Sequence, residues 1–286
     1  MSPARKKQPS RKRGKKKAKA RRSGFGWIVF IFLTASALIF AYQYVTVRQQ
    51  EQKTAAVACP DLEIPQSLSE RREQIISHTG YTVSYNEDWR LPNWVAYELT
   101  RAEALGKEKR SGRFTPDPAV EGTSAANRDY LRSGYDKGHL APAADMKWSV
   151  TAMQESFYFT NICPQHPRLN RRGWKDLEEM IRERAIADSV VVIVCGPLVE
   201  KNAKTIGDNR VTVPQGFFKV LLLPCHTPPQ AIGFVFGNEA APEPLQRYAV
   251  TVDSVETLTS LDFFAPLPDG IENQAESRFD ISCWGF

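Results

Sequence analysis

Histidine and cysteine are scarce: four and five in 286 residues, with no two cysteines in a CxxC. That argues against a structural zinc site of the paired-cysteine kind. No internal repeat is present, so a repeat solenoid is not indicated. Acidic residues are absent from residues 1–22, which carry twelve Lys or Arg. The chain sums to +6, yet without those twelve it keeps 26 basic against 32 acidic residues, a net of −6. Net charge therefore gives no argument for nucleic-acid binding by the bulk of the chain, and any electropositive groove has to be local.

Charge is absent altogether from residues 25–47, FGWIVFIFLTASALIFAYQYVTV. Twenty-three helical residues at ~1.5 Å each reach about 34 Å, enough to cross a bilayer. Trp27 near one end and Tyr42 and Tyr44 near the other suit membrane interfaces. The apolar run exceeds the ~7–15 residues of a cleaved signal peptide. Residues 1–23 then read as a disordered basic tail in the cytoplasm and 24–47 as a single transmembrane helix. The positive-inside rule places 48–286 beyond a cytoplasmic (inner) membrane, in the periplasm or outside the cell. Mitochondrial import is the alternative for a basic, acid-free N-terminus. In an oxidising compartment Cys59–Cys283 and Cys195–Cys225 are candidate disulfides, with buried free thiols the alternative for each.

Residues 48–65 read as a linker and 66–286 as the folded domain. The capping-box spacing of Ser67 and Glu70 predicts a helix to about residue 77. Strands are expected over 81–85 and 94–100, and over the β-branched or apolar runs 189–195, 217–223 and 231–236. Residues 103–126 are polar and hold Pro116, Pro118 and Gly122, which predicts a long loop, and such loops are commonly functional. Apolar spacing predicts one helix over 170–187 and a short one over 254–260. Strands and helices mix without strict alternation, so the fold class is α+β with a mainly antiparallel sheet.

The chemistry centres on Asp136-Lys137-Gly138-His139. Asp136 is an acceptor, Lys137 a compact cation, and Gly138 allows backbone conformations closed to other residues. His139, with an ordinary pKa near 6.5, can serve as a base near neutrality. Asn170, Trp174 and Glu178 are spaced i, i+4, i+8 on one helix face. Glu178 then lies ~12 Å along the axis from Asn170, too far to share direct ligation. Helical side chains lean toward the N-terminus, so Glu178 reaches the water shell of an ion on Asn170. Mg²⁺, which keeps several waters and takes few protein ligands, suits that arrangement. Taken singly, Asn170 fits a helix cap, Glu178 a solvated helix position and His139 a structural histidine.

The ordered series DKGHLAPAADM at 136–146, FYFTNICPQ at 157–165 and LNRRGWKDLE at 169–178 resembles the DNA/RNA non-specific endonuclease family. The resemblance runs from about residue 94 to 268. It takes in Arg113-Phe114, Asp117, CGPL at 195–198, FFKV at 217–220 and LDFF at 261–264. It implies a central antiparallel sheet flanked by helices, with a ββα-metal active site and a possible homodimer. It implies further that His139 is the general base, Asn170 the ligand of Mg²⁺ (or Mn²⁺ in its place), and Glu178 the residue orienting the ion's water. Asn161 falls on a supporting asparagine and is expected, with Lys137, to bind substrate. Lys137 stands where the family commonly has Arg, which binds phosphate as a fork where Lys offers a point charge. Arg113 is the expected substrate arginine, with Arg110 the neighbouring alternative. The implied activity is metal-assisted hydrolysis of DNA and RNA with little sequence preference. A catalytically weak, membrane-tethered nucleic-acid-binding protein and a phosphodiesterase for small nucleotides are the alternatives.

Overall fold

Val190–Leu198 is apolar on both faces of an extended chain, so it needs cover on both sides, and the fold is built around it. The computed structural model describes residues 33–34, 36–44 and 60–286. The chain divides into a unit at Met1–Val47 and a unit at Arg48–Phe286. In the first, residues 33–34 and 36–44 are helical. Among the described residues no helix is long and apolar enough to cross a membrane. Most of the expected span, and the whole basic tail, lie outside the described residues.

The second unit holds the strands β1 (Gln74–Ser77), β2 (Thr82–Asn86), β3 (Leu91–Thr100), β4 (Asp136–His139), β5 (Ile162–Gln165), β6 (Val190–Leu198), β7 (Gly216–Leu223), β8 (Gln230–Gly237) and β9 (Ala249–Val250). Its main helices are α1 (Val150–Glu155), α2 (Pro167–Asn170), α3 (Gly173–Asp188), α4 (Val252–Thr259) and α5 (Asp269–Glu276). Seven strands form one sheet in the order β9-β8-β7-β6-β3-β2-β1. Every pairing in it is antiparallel. The expected α+β class with a mainly antiparallel sheet is what the chain adopts.

Strand periodicity sorts the side chains into two layers. Val191, Ile193 and Cys195, with Phe217 and Leu221, face a layer that contains Trp174, Leu177 and Ile181 of α3. Val192 and Val194, with Phe218 and Val220, face Val252, Val255, Ile271 and Ala275 of α4 and α5. The helix α3 and the α4–α5 pair thus cover opposite faces of the sheet.

Three expectations are corrected. Residues 67–77 form no helix: Gln74–Ser77 is an edge strand on β2, with Ile76 buried. A capping box contributes little beside the burial of a β-branched side chain. Cys195 and Cys225 are free. Cys195 pairs in register with Lys219, so Cys225 lies six residues further along β7's direction. At ~3.3 Å per residue that is about 20 Å, far beyond a disulfide's reach. Cys283 is also free, and Cys59 is outside the described residues. Last, α3 does not continue from Asn170. The chain closes the short helix α2 there, and Arg172, at φ −132° and ψ −108°, caps the start of α3.

Candidate active site

The strands β4 and β5 form a separate antiparallel hairpin in which His139 faces Ile162 and Gly138 faces Cys163. With α2 and α3 they build a ββα unit. Gly138 is required for space rather than for φ, because a Cβ there would collide with the Gln165 side chain. Asn161 fixes the turn that leaves β4. Its amide nitrogen donates to the carbonyls of Ala141 and Ser156, both at 2.8 Å. Its amide oxygen accepts from the Ala141 N–H at 2.8 Å. Asn161 is fully buried, so it holds the 139–142 segment and does not reach a substrate, correcting the substrate-binding expectation. Trp174 adds a second tie, its indole N–H donating to the His139 carbonyl at 3.2 Å.

A cleft of about 340 Å³ opens beside this hairpin, and Arg110, Lys137, His139, Asn170 and Glu178 all line it. The chain break before α3 leaves Asn170 and Glu178 on one wall all the same. Arg113 is exposed and does not line the cleft. The difference comes from the loop after β3. Its Thr115 exchanges backbone hydrogen bonds with Phe157 and Phe159, and Asp117 accepts from the Thr160 hydroxyl at 2.7 Å. Anchored there, the loop lays the Arg110 guanidinium 4.8 Å from the Phe157 ring centre.

His139 packs between Phe114 and Phe157, at 5.4 and 5.1 Å between ring centres. Its Nε2 is buried without a hydrogen-bond partner. Burial first, and then the Arg110 charge, push the imidazole pKa down to about 3. The ring is therefore neutral, with a free lone pair, across the physiological range. Lys137 rests 4.4 Å over the Phe114 ring and donates to the Asn127 side chain at 2.7 Å.

Asn170 gives its amide N–H to Asp136 at 3.0 Å, and Arg171 grips the same carboxylate through two nitrogens at 2.8 and 2.7 Å. Burial raises the Asp136 pKa, but these hydrogen bonds and the Arg171 charge outweigh it and hold the carboxyl below its usual range. The Asn170 side-chain oxygen is left over as an acceptor. Glu178 is half-buried. Its carboxyl is pushed up to about 7, by burial first, with Asp145 adding to the rise and Lys219 and Arg182 opposing it. An amide oxygen and a carboxylate suit a hard divalent cation, which would restore Glu178 to its charged form.

Beneath Glu178 lies a charged layer that sequence reasoning left unassigned. Lys219 projects from the centre of β7, is fully buried, and donates to the Leu140 carbonyl at 3.3 Å with its ammonium 4.6 Å from the Trp174 ring centre. Asp145 accepts from Arg182 and from the Tyr97 hydroxyl, each at 2.8 Å. Two signals were present: Arg182 stands at i+4 from Glu178, and Lys219 interrupts an apolar strand at an inward position.

Residues 60–270 match the DNA/RNA non-specific endonuclease family. The chain is 36% identical to the mitochondrial nuclease EXOG of Danio rerio over 223 residues, which are 71% of this chain and 63% of that protein. It is 35% identical to human mitochondrial endonuclease G over 211 residues, 66% of this chain and 69% of that one. It thus spans less than two thirds of the zebrafish relative. A solved complex of EndoG with EndoGI superposes with a TM-score of 0.65 at 29% identity, over 69% of this chain and 88% of the other. These relatives are mitochondrial by name. That overturns the expected placement across a cytoplasmic membrane with the domain in the periplasm or outside the cell. The antiparallel sheet, the ββα unit carrying DKGH and the match over residues 60–270 make one case: the chain belongs to the DNA/RNA non-specific endonuclease family.

Proposed function

We propose that the chain is an endonuclease that hydrolyses phosphodiester bonds of DNA and RNA with little sequence preference, using Mg²⁺ or Mn²⁺. One observation carries the reading: His139, a neutral imidazole, lines the same cleft as the cations Arg110 and Lys137 and the oxygen-bearing Asn170 and Glu178. His139 takes the proton from the attacking water, as a base that stays deprotonated at neutral pH can. Arg110 and Lys137 meet the non-bridging phosphate oxygens. Asn170 holds the ion through its side-chain oxygen, and Glu178 orients the water around it. The ion, when bound, supplies positive charge to the phosphate and the leaving oxygen. Groups of this kind address the backbone and not base edges, which is why sequence preference is small.

Supercoiled plasmid incubated with the protein and Mg²⁺ is nicked and then linearised, and EDTA stops the reaction. Cleavage that persists in EDTA contradicts the proposal. A dinucleotide cleaved as fast as the polymer would move the substrate class to small phosphodiesters.

Arg110 takes the substrate role expected of Arg113. Arg110→Ala lowers kcat/KM by about 10²-fold, the effect of losing one positioned donor. Arg113→Ala stays near wild type. Steady-state kinetics on a fluorogenic oligonucleotide decides it, and a loss confined to Arg113→Ala would return the role to Arg113.

A further inference from the structure

On the sheet face opposite the cleft, α4 and α5 bring together acidic side chains that the proposed reaction does not use. Asp253 and Glu256 lie three residues apart on α4, hence on one helix face. Glu276 ends α5, where the helix dipole is negative and favours a cation. One carboxylate oxygen from each of the three lies within 4.8 Å of the others. The Phe263 N–H donates to Glu256 at 2.9 Å and fixes the orientation of that carboxylate.

Glu276 separates this group from an ordinary solvated acidic patch. It is 5% exposed, and its Oε1 is buried with no hydrogen-bond partner. A buried carboxylate in that condition is costly unless a proton or a cation joins it. Asp262 and Glu272 add negative charge around it. None of Asp253, Glu256, Asp262, Glu272 and Glu276 forms an ion pair with a basic side chain among the described residues.

We propose that Asp253, Glu256 and Glu276 form a second site for a hard divalent cation, such as Ca²⁺, that clamps α4 to α5. The donors are all carboxylate oxygens, with no imidazole or thiolate, which selects a hard cation. Oxygens bound to one divalent cation at about 2.1–2.4 Å sit no more than about 4.2–4.8 Å apart. The three carboxylate oxygens lie within the upper end of that range. The site is independent of the cleft, because the sheet lies between them.

Calorimetric titration of the full chain with CaCl₂ tests this, using wild type, Glu276→Gln and Asp253→Asn. Wild type takes up one more Ca²⁺ than either variant, and Ca²⁺ raises the unfolding temperature of wild type more than that of the variants. Both variants keep wild-type plasmid nicking in Mg²⁺. Equal Ca²⁺ uptake by wild type and both variants overturns the site. Should Glu276→Gln fail to unfold cooperatively, Asp253→Asn decides alone, since Asp253 is exposed and its substitution disturbs no packing.

Discussion

His139→Ala lowers kcat for phosphodiester cleavage by about 10²–10⁴-fold, the usual cost of removing a general base. KM changes little, because Arg110 and Lys137, proposed to meet the phosphate, still line the cleft. The imidazole is walled by Phe114 and Phe157, so its removal leaves a ring-sized gap. Added imidazole fills that gap and restores part of the rate. A variant with unchanged kcat and raised KM would make His139 a binding residue instead of the base.

Trp174→Ala destabilises the fold by about 3–5 kcal/mol, the range for deleting a large buried aromatic. For a domain of this size that lowers the unfolding temperature by roughly 10 °C. Trp174 is 1% exposed and packs on Phe217 and Phe236 at 5.6 and 6.0 Å between ring centres. It also covers the Lys219 ammonium and ties down the His139 carbonyl. Its loss therefore reaches the site as well as the core. Trp174→Phe keeps the packing but not the N–H, and loses less stability than the alanine variant. Calorimetry that places Trp174→Ala within a degree or two of wild type contradicts the role given to this side chain.

The strands of the sheet centre were legible because burial on both faces leaves an unbroken apolar run that nothing else explains. The same reasoning located α3 through Trp174, Leu177 and Ile181. It failed at residues 67–77, where a local capping signal competed with burial of Ile76 on a strand that only the folded sheet supplies. It also missed the break before α3. Asp136 engages Asn170 and Arg171 from 34 and 35 residues away, a tertiary contact that no helical periodicity encodes. The cluster of His139, Asn170 and Glu178 was legible from residue types and order. Which of Arg110 and Arg113 lines the cleft was not, because that depends on how Thr115 and Asp117 anchor the loop. Lys219 appeared only within the FFKV run and was given no role, because a strand pattern does not show what surrounds an inward-facing lysine. The cysteine pairing failed on register, which separates Cys195 and Cys225 along neighbouring strands.

The Mg²⁺ dependence of the cleavage rate in Asn170→Ala, set beside that of His139→Ala, tests the assignment of ligand and base most directly. Asn170→Ala should need more Mg²⁺ for half-maximal rate and recover part of its activity as Mg²⁺ is raised. His139→Ala should keep the wild-type half-maximal concentration and stay slow at every Mg²⁺ level. Rescue of His139→Ala by Mg²⁺, with none for Asn170→Ala, would contradict the account and make His139 the ligand.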